Sequence, residues 1–236
     1  MKADIIFTAD EVSQENVKGK ICVVIDVLRA TSVMVTALSN GAEKIFPFRD
    51  IETIQERCRN LKNIIKCGER NALKIDGFDL GNSPLEFTKE KVSGKDIYMS
   101  TTNGTKAVEN CIGADEILIC SFLNLPSVVK KLIEYKRDVN IVCAGTNGNF
   151  SLDDALCAGL IVNELIKSNE VKVEIDDTAL ALVKIAQSEK SIPEILEGSY
   201  HYSLLLSLGF QKDMEHIFSV GKYSVVPVYR EGYISK

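Results

Sequence analysis

No apolar run in these 236 residues approaches the roughly 20 needed to cross a bilayer. The opening MKADIIFTADE has neither the apolar core nor the cleavage site of a signal peptide, so a cytoplasmic protein with no membrane partner is expected. Basic charge is not in excess either. The 33 acidic and 28 basic residues leave a net charge of −5, the isoelectric point is near 5.3, and the basic residues are scattered. That argues against nucleic acid or an anionic membrane as a main partner. No Cys-x-x-Cys pair exists, and no cysteine is followed six positions later by arginine, which argues against zinc, dithiol and cysteine-phosphatase chemistry. Neither G-x-x-x-x-G-K-[ST] nor G-x-G-x-x-G occurs, so a nucleotide kinase or a dehydrogenase is disfavoured. Histidine is scarce: His201 and His216 are the only two, with no Arg-His-Gly motif of a phosphohistidine phosphatase. Each reads more readily as an amphipathic-helix residue than as a catalyst. The seven cysteines are odd in number and embedded in apolar runs such as KICVVID, so buried reduced thiols are expected.

What is present is an ordinary globular composition, 45% hydrophobic and 26% charged, with a mean hydropathy of +0.04. Strand-length apolar runs lie at 4–8, 21–27, 44–48, 63–67, 96–100, 116–120 and 140–145. Helical spacing of apolar positions covers 31–39, 50–60, 104–111, 125–136 and 151–168, with Asp50, Asn103 and Ser151 as helix starts. Runs that are apolar on both faces suit parallel central strands. The fold expected is α/β: a three-layer α/β/α arrangement with a mixed, largely parallel central sheet. A helix-rich C-terminal part follows, from EIDDTALALVKIAQS and YHYSLLLSLGF, before a strand-like YSVVPVY at 223–229. No Gly/Ser- or Pro-rich linker divides the chain, so a single domain over 1–236 is expected, with a sub-boundary near 170 as the alternative.

In open α/β sheets ligands bind beyond the carboxyl ends of the strands, and here those ends are polar. After ICVVI come Asp26, Arg29, Thr31 and Ser32, a carboxylate beside an anion cradle; the competing reading is a helix cap and a surface arginine. After DIYMS come Thr101, Thr102, Asn103, Gly104, Thr105 and Lys106, where hydroxyls, a glycine and a helix start suit phosphate; a well-capped helix is the structural alternative. After NIVCA come Gly145 and a second Thr-Asn-Gly, then a helix opening with Asp153 and Asp154, hard oxygen ligands that suit magnesium but are also favoured by the helix dipole. Asp176 and Asp177 read as a helix N-terminus. The stretch 67–84 lacks periodicity and holds Glu69, Arg70, Asn82 and Ser83, of which Glu69 could bind metal or position water and Arg70 could bind an anionic group.

DVLRATS, GERNALKIDGFDLGNSP, TTNGT, CAG with SLDDAL, and SYHYSLLLSLGFQKD together resemble the 2-phosphosulfolactate phosphatase family, in order from about residue 4 to residue 229. Positions 26, 29, 31, 69, 70, 82, 83, 101–105, 145, 153 or 154, and His201 match its motif positions; the tail after Asp213 matches loosely. The resemblance implies magnesium-dependent hydrolysis of 2-phospho-3-sulfolactate to 3-sulfolactate and phosphate, a step toward coenzyme M in organisms that make it. On this basis Asp26, Glu69 and Asp154 are the expected catalytic residues, and Asp26, Asp153 and Asp154 the expected Mg2+ ligands. Arg29 and 101–105 would bind the phosphoryl group, and Arg70 and Lys106 the carboxylate or sulfonate. The partner is a small anionic phosphate ester, and a homo-oligomer is left open. Two alternatives stand beside this: a phosphatase of another small phosphorylated hydroxy acid or sugar, and a non-catalytic anion-binding sensor.

Overall fold

The computed structural model describes residues 1–236. Its strands are β1 (Ala3–Ile6), β2 (Ile21–Ile25), β3 (Ile45–Pro47), β4 (Ile64–Arg70), β5 (Leu73–Lys74), β6 (Asp96–Ser100), β7 (Glu116–Cys120), β8 (Val139–Cys143), β9 (Val228–Arg230) and β10 (Tyr233–Ser235). The helices are α1 (Gln14–Val17), α2 (Ala30–Ser39), α3 (Ile51–Cys58), α4 (Lys89–Val92), α5 (Gly104–Asn110), α6 (Leu125–Tyr135), α7 (Leu152–Ser168), α8 (Asp177–Ala186), α9 (Ile192–Leu196), α10 (Tyr200–Ser207) and α11 (Gln211–Ile217). None is long and apolar enough to cross a membrane. All strands join one mixed sheet in the order β1-β8-β2-β7-β9-β10-β3-β6-β4-β5, so the α/β expectation holds.

Strand pleating explains the two covered faces. Side chains alternate along a strand, so Ile21, Val23 and Ile25 of β2 enter a core with α6 and α7, while Cys22 and Val24 enter a second core with α2 and α5. All seven cysteines are free and buried. The C-terminal run differs from the single strand expected over 223–229. It enters the sheet only at Val228, then turns at Glu231 and Gly232, both with positive φ, into β10. The hairpin wedges between β7 and β3, with antiparallel pairing on both sides. The sequence carries only Glu-Gly at this turn, a weaker signal than Asn-Gly or Asp-Gly.

That hairpin decides where the strand ends go. Strands β1, β8, β2 and β7 form one parallel block and β3, β6 and β4 another, and the antiparallel insert makes the blocks run in opposite senses. Sheet twist of roughly 20–25° per strand accumulates over the five steps from β2 to β6, so the carboxyl ends of both blocks can meet at one place.

Packing on the β2 face depends on one glycine. A Cβ on Gly159 of α7 would lie 2.6 Å from the carbonyl oxygen of Leu182 in α8. A helix-interior Gly→Ala change ordinarily stabilises by about 0.5–1 kcal/mol, but backbone cannot give way cheaply here. Gly159→Ala is therefore expected to destabilise the fold by roughly 1–3 kcal/mol, read from the denaturant midpoint; a stabilised variant would contradict this packing.

Candidate active site

Asp26 follows β2. Its Oδ1 accepts from the Ala30 N–H at 3.1 Å, and the Thr31 hydroxyl bonds the Asp26 backbone twice, accepting from its N–H at 3.0 Å and donating to its carbonyl at 2.9 Å. Oδ2 has no partner in the chain and lies against Gly104. A Cβ on Gly104 would meet Oδ2 at 2.7 Å and the Ala30 Cβ at 2.5 Å. The missing side chain is what lets the β6–α5 end dock on the β2–α2 end. Burial pushes the Asp26 carboxyl up to about 6, against the opposing pull of His201 and the Ala30 hydrogen bond.

The other carboxylates divide by what they hold. Asp154 accepts the Val27 N–H at 2.8 Å on Oδ1 and the Gly145 N–H at 3.1 Å on Oδ2, which fastens the ends of β2 and β8. Burial, then the neighbouring Asp153 and Asp26, raise its pKa well above the usual carboxylate range. Glu69 accepts from the Thr102 N–H at 2.8 Å and hydroxyl at 2.9 Å on Oε1, and from the Ala72 N–H at 2.9 Å on Oε2. It thereby closes the turn at Asn71 and Ala72, both at positive φ, onto the turn after β6. Asp153 accepts the Ser151 hydroxyl on Oδ1, while its buried Oδ2 has no partner. Asp176 caps α8 by accepting the Ala179 N–H at 2.8 Å, the structural role expected of it.

The cationic and polar side of the site is equally specific. Arg29 donates to Asp213 at 2.7 Å and to the Ala72 carbonyl at 2.8 Å, with its guanidinium 3.9 Å over the Phe210 ring. Ser83 donates to the other Asp213 oxygen at 2.7 Å. Thr101 and Thr105 cap α5 by bonding each other: the Thr101 hydroxyl accepts the Thr105 N–H, and the Thr105 hydroxyl donates to the Thr101 carbonyl. Asn103 accepts the Asn147 N–H at 3.2 Å, so the two Thr-Asn-Gly segments touch. The N–H groups of Asn103 and Gly104 donate to no atom of the chain.

These segments enclose a cavity of about 90 Å³. A water needs roughly 10–15 Å³ by the same measure, so the space holds the reacting part of a small ester. Of the expected residues, Asp26, Arg29, Glu69, Asn82, Thr102 and Asn103 line it. Thr31, Ser83, Thr101, Gly104, Thr105, Gly145, Asp153 and Asp154 make the hydrogen bonds and close packing just described. Arg70 and Lys106 do not line it. Arg70 donates to the Glu69 and Arg49 carbonyls and the Ser100 hydroxyl, and Lys106 pairs with Asp10.

Comparison with known proteins gives the family. A family model described as 2-phosphosulpholactate phosphatase matches residues 6–232. The chain belongs to this family. It is 43% identical over 231 residues, 97% of each chain, to a probable 2-phosphosulfolactate phosphatase of Clostridium botulinum (strain Eklund 17B / Type B). It is 43% identical over 238 residues to a protein of the same name from Clostridium perfringens (strain SM101 / Type A), covering 99% of this chain and 96% of that one. A third of that name, from Clostridium novyi (strain NT), is 40% identical over the full length of both chains.

Periodicity assigned His201 to a helix face, whereas the 2-phosphosulfolactate phosphatase motifs include it. In the structure it lines the cavity, with Nε2 3.1 Å from the Thr146 hydroxyl and Nδ1 3.6 Å from Asp153. Burial works against its charged form, but Asp153, then Asp26 and Glu69, outweigh burial and raise its pKa. Asp213 closes the SYHYSLLLSLGFQKD motif, but nothing in the sequence shows that it pairs with an arginine 184 positions away.

The donor set fits a hard divalent cation. Buried carboxylates repel one another here, and two of their oxygens, Asp26 Oδ2 and Asp153 Oδ2, have no partner in the chain. No three acidic, histidine or cysteine side chains converge as a cage; Mg2+ is ordinarily held by one or two carboxylates, with waters and substrate completing its shell.

The Asp26 carboxyl sits above its ordinary 3.8 in the folded chain. Folding thus favours its protonated form, and the stability this group contributes is present below pH 3.8 and lost as pH rises through about 6. With chelator present, wild type is expected to lose roughly 2–3 kcal/mol over that window that Asp26→Asn does not lose. Parallel stability–pH curves would contradict this.

Proposed function

We propose that this chain is a cytoplasmic, Mg2+-dependent phosphatase that hydrolyses 2-phospho-3-sulfolactate to 3-sulfolactate and inorganic phosphate, its product serving coenzyme M formation in organisms that make that cofactor. The observation that carries the reading is convergence. Asp26 after β2, Glu69 in β4, Asn103 after β6 and Thr146 after β8 come from four strand ends in two opposed blocks, yet they line one cavity.

In this reading Asp26 and Asp153 are the carboxylates for the ion. These residues would hold Mg2+, which would supply Lewis-acid polarisation of the phosphoryl group and offset its charge. The Asn103 and Gly104 amides and the free N–H groups of Arg29 donate to the phosphoryl oxygens, where charge develops. Water attacks phosphorus directly, because Asp26 is followed by Val27 and Leu28 and lacks a second aspartate two residues on. As the phosphorus–oxygen bond to sulfolactate breaks, His201, whose carboxylate neighbours favour its protonated form, donates its proton to the departing alkoxide. Glu69 and Asp154 hold the walls in place.

One observation favours a second reading, a phosphatase of a less anionic hydroxy-acid or sugar ester. Arg29 is the single guanidinium at the cavity wall, and no lysine lines it. In the first reading the amide side chains of Asn71, Asn82 and Asn147, which line the cavity, take the distal carboxylate and sulfonate in place of Arg70 and Lys106.

Phosphate release from a panel of esters separates the two readings. The expected result is the highest kcat/KM with 2-phospho-3-sulfolactate, activity abolished by chelator and restored by Mg2+, and a kcat loss of at least about 100-fold in Asp26→Asn. A higher kcat/KM with a non-sulfonated ester would favour the second reading, and undiminished turnover in chelator would remove the metal.

A further inference from the structure

The two oxygens of Asp213, in α11, are fully committed. One accepts from Arg29 on the loop after β2, and the other from Ser83, 130 positions away in the chain. All three residues are buried, with Asp213 and Arg29 each 3% exposed and Ser83 7% exposed. A guanidinium this far from water needs both a charge partner and further acceptors. Asp213 supplies the charge, the Ala72 carbonyl a second acceptor, and Phe210 a ring face. These contacts use two of the five N–H donors of an arginine, and Arg29 is one of the residues that line the cavity.

We propose that Asp213 is a positioning residue of this site: by gripping Arg29 and Ser83 at once, it sets the angle at which Arg29 meets the phosphate ester and pins the 82–84 segment beside the cavity. The inference rests on reading the cavity as the phosphate-ester site. Asp213 does not line the cavity, so its effect runs through Arg29. A carboxylate that only supported the fold would alter stability without coupling to that arginine in the kinetics.

The test is a double-mutant cycle on the full chain with Mg2+ and 2-phospho-3-sulfolactate, with melting temperatures measured throughout. In the wild-type background Asp213→Asn is expected to raise KM roughly 10- to 100-fold, the weight of a charge-assisted hydrogen bond, with a smaller change in kcat. In an Arg29→Lys background the same change is expected to cost less than about 3-fold, since the two residues act as one unit. A folded Asp213→Asn with the wild-type KM, or equal costs in both backgrounds, would overturn the proposal. Should Asp213→Asn not fold, Asp213→Glu replaces it: the charge is kept but shifted by one methylene, and KM is expected to rise about 3- to 10-fold only when Arg29 is present. An unchanged KM, or an equal change in both backgrounds, then overturns the proposal. If the wild type releases no phosphate from the ester, the functional reading fails, and the cycle is read instead by calorimetric titration with inorganic phosphate. Weakening of that binding by Asp213→Asn only when Arg29 is present upholds the positioning role. Equal weakening, no weakening, or no binding by the wild type rejects it.

Discussion

The carboxylate of Asp154, bonded to the N–H groups of Val27 and Gly145, is the contact on which the rest of the site depends. β2 and β8 pair in parallel as far as Ile25 and Cys143. Beyond that point the chains leave the ladder while still buried, and their amides need acceptors. A carboxyl group offers an acceptor on each oxygen and takes one amide on each, whereas an amide side chain would present a donor to one of them. Glu69 does the same work in the other block, where it holds the turn at 71–72 against the turn after β6. Gly104 then lets the two blocks meet at Asp26.

Using carboxylates as fasteners concentrates negative charge in a small buried volume. Asp26 and Asp154 are both driven toward their neutral forms, foremost by burial; Asp153 and Glu69 add to this at Asp26, and Asp153 and Asp26 add to it at Asp154. The positive groups nearby are already engaged: Arg29 by Asp213, and His201 beside Asp153. The division of labour follows. Asp154, Glu69 and Asp213 spend both oxygens on the chain, while Asp26 and Asp153 each keep one oxygen without a partner. A divalent cation at those oxygens would relieve the repulsion and bring positive charge to an anionic substrate in an acidic protein.

Much of this was legible in the sequence because it is local. The seven apolar runs became strands β1 to β4 and β6 to β8, with shifts of at most a few residues, and polar strand ends pointed to Asp26, Glu69, Asn82, Thr102 and Asn103 at the cavity wall. What was not legible depends on chain reversal or distant pairing. The β9–β10 hairpin turns on Glu231 and Gly232, a pair with little turn signal, so its wedge between two blocks could not be seen. Arg70 and Lys106 look like substrate ligands by charge alone, yet nearby carbonyls and Asp10 take them up. His201 sits on a helix whose apolar residues dominate its pattern; the family resemblance singles it out, and its tertiary neighbours, Thr146 and Asp153, show what it does there.

The central claim is the split between carboxylates that spend both oxygens on the chain and carboxylates that keep one oxygen without a partner. The most direct measurement is a crystal structure of the full chain with Mg2+ and 3-sulfolactate. The account predicts an ion at Asp26, ligand in the cavity between Arg29 and the Thr102–Asn103 turn, and both Asp154 and Glu69 still bonded to their amides. An ion ligated by Asp154 or Glu69 swung away from those amides, or ligand bound outside this cavity, would contradict it.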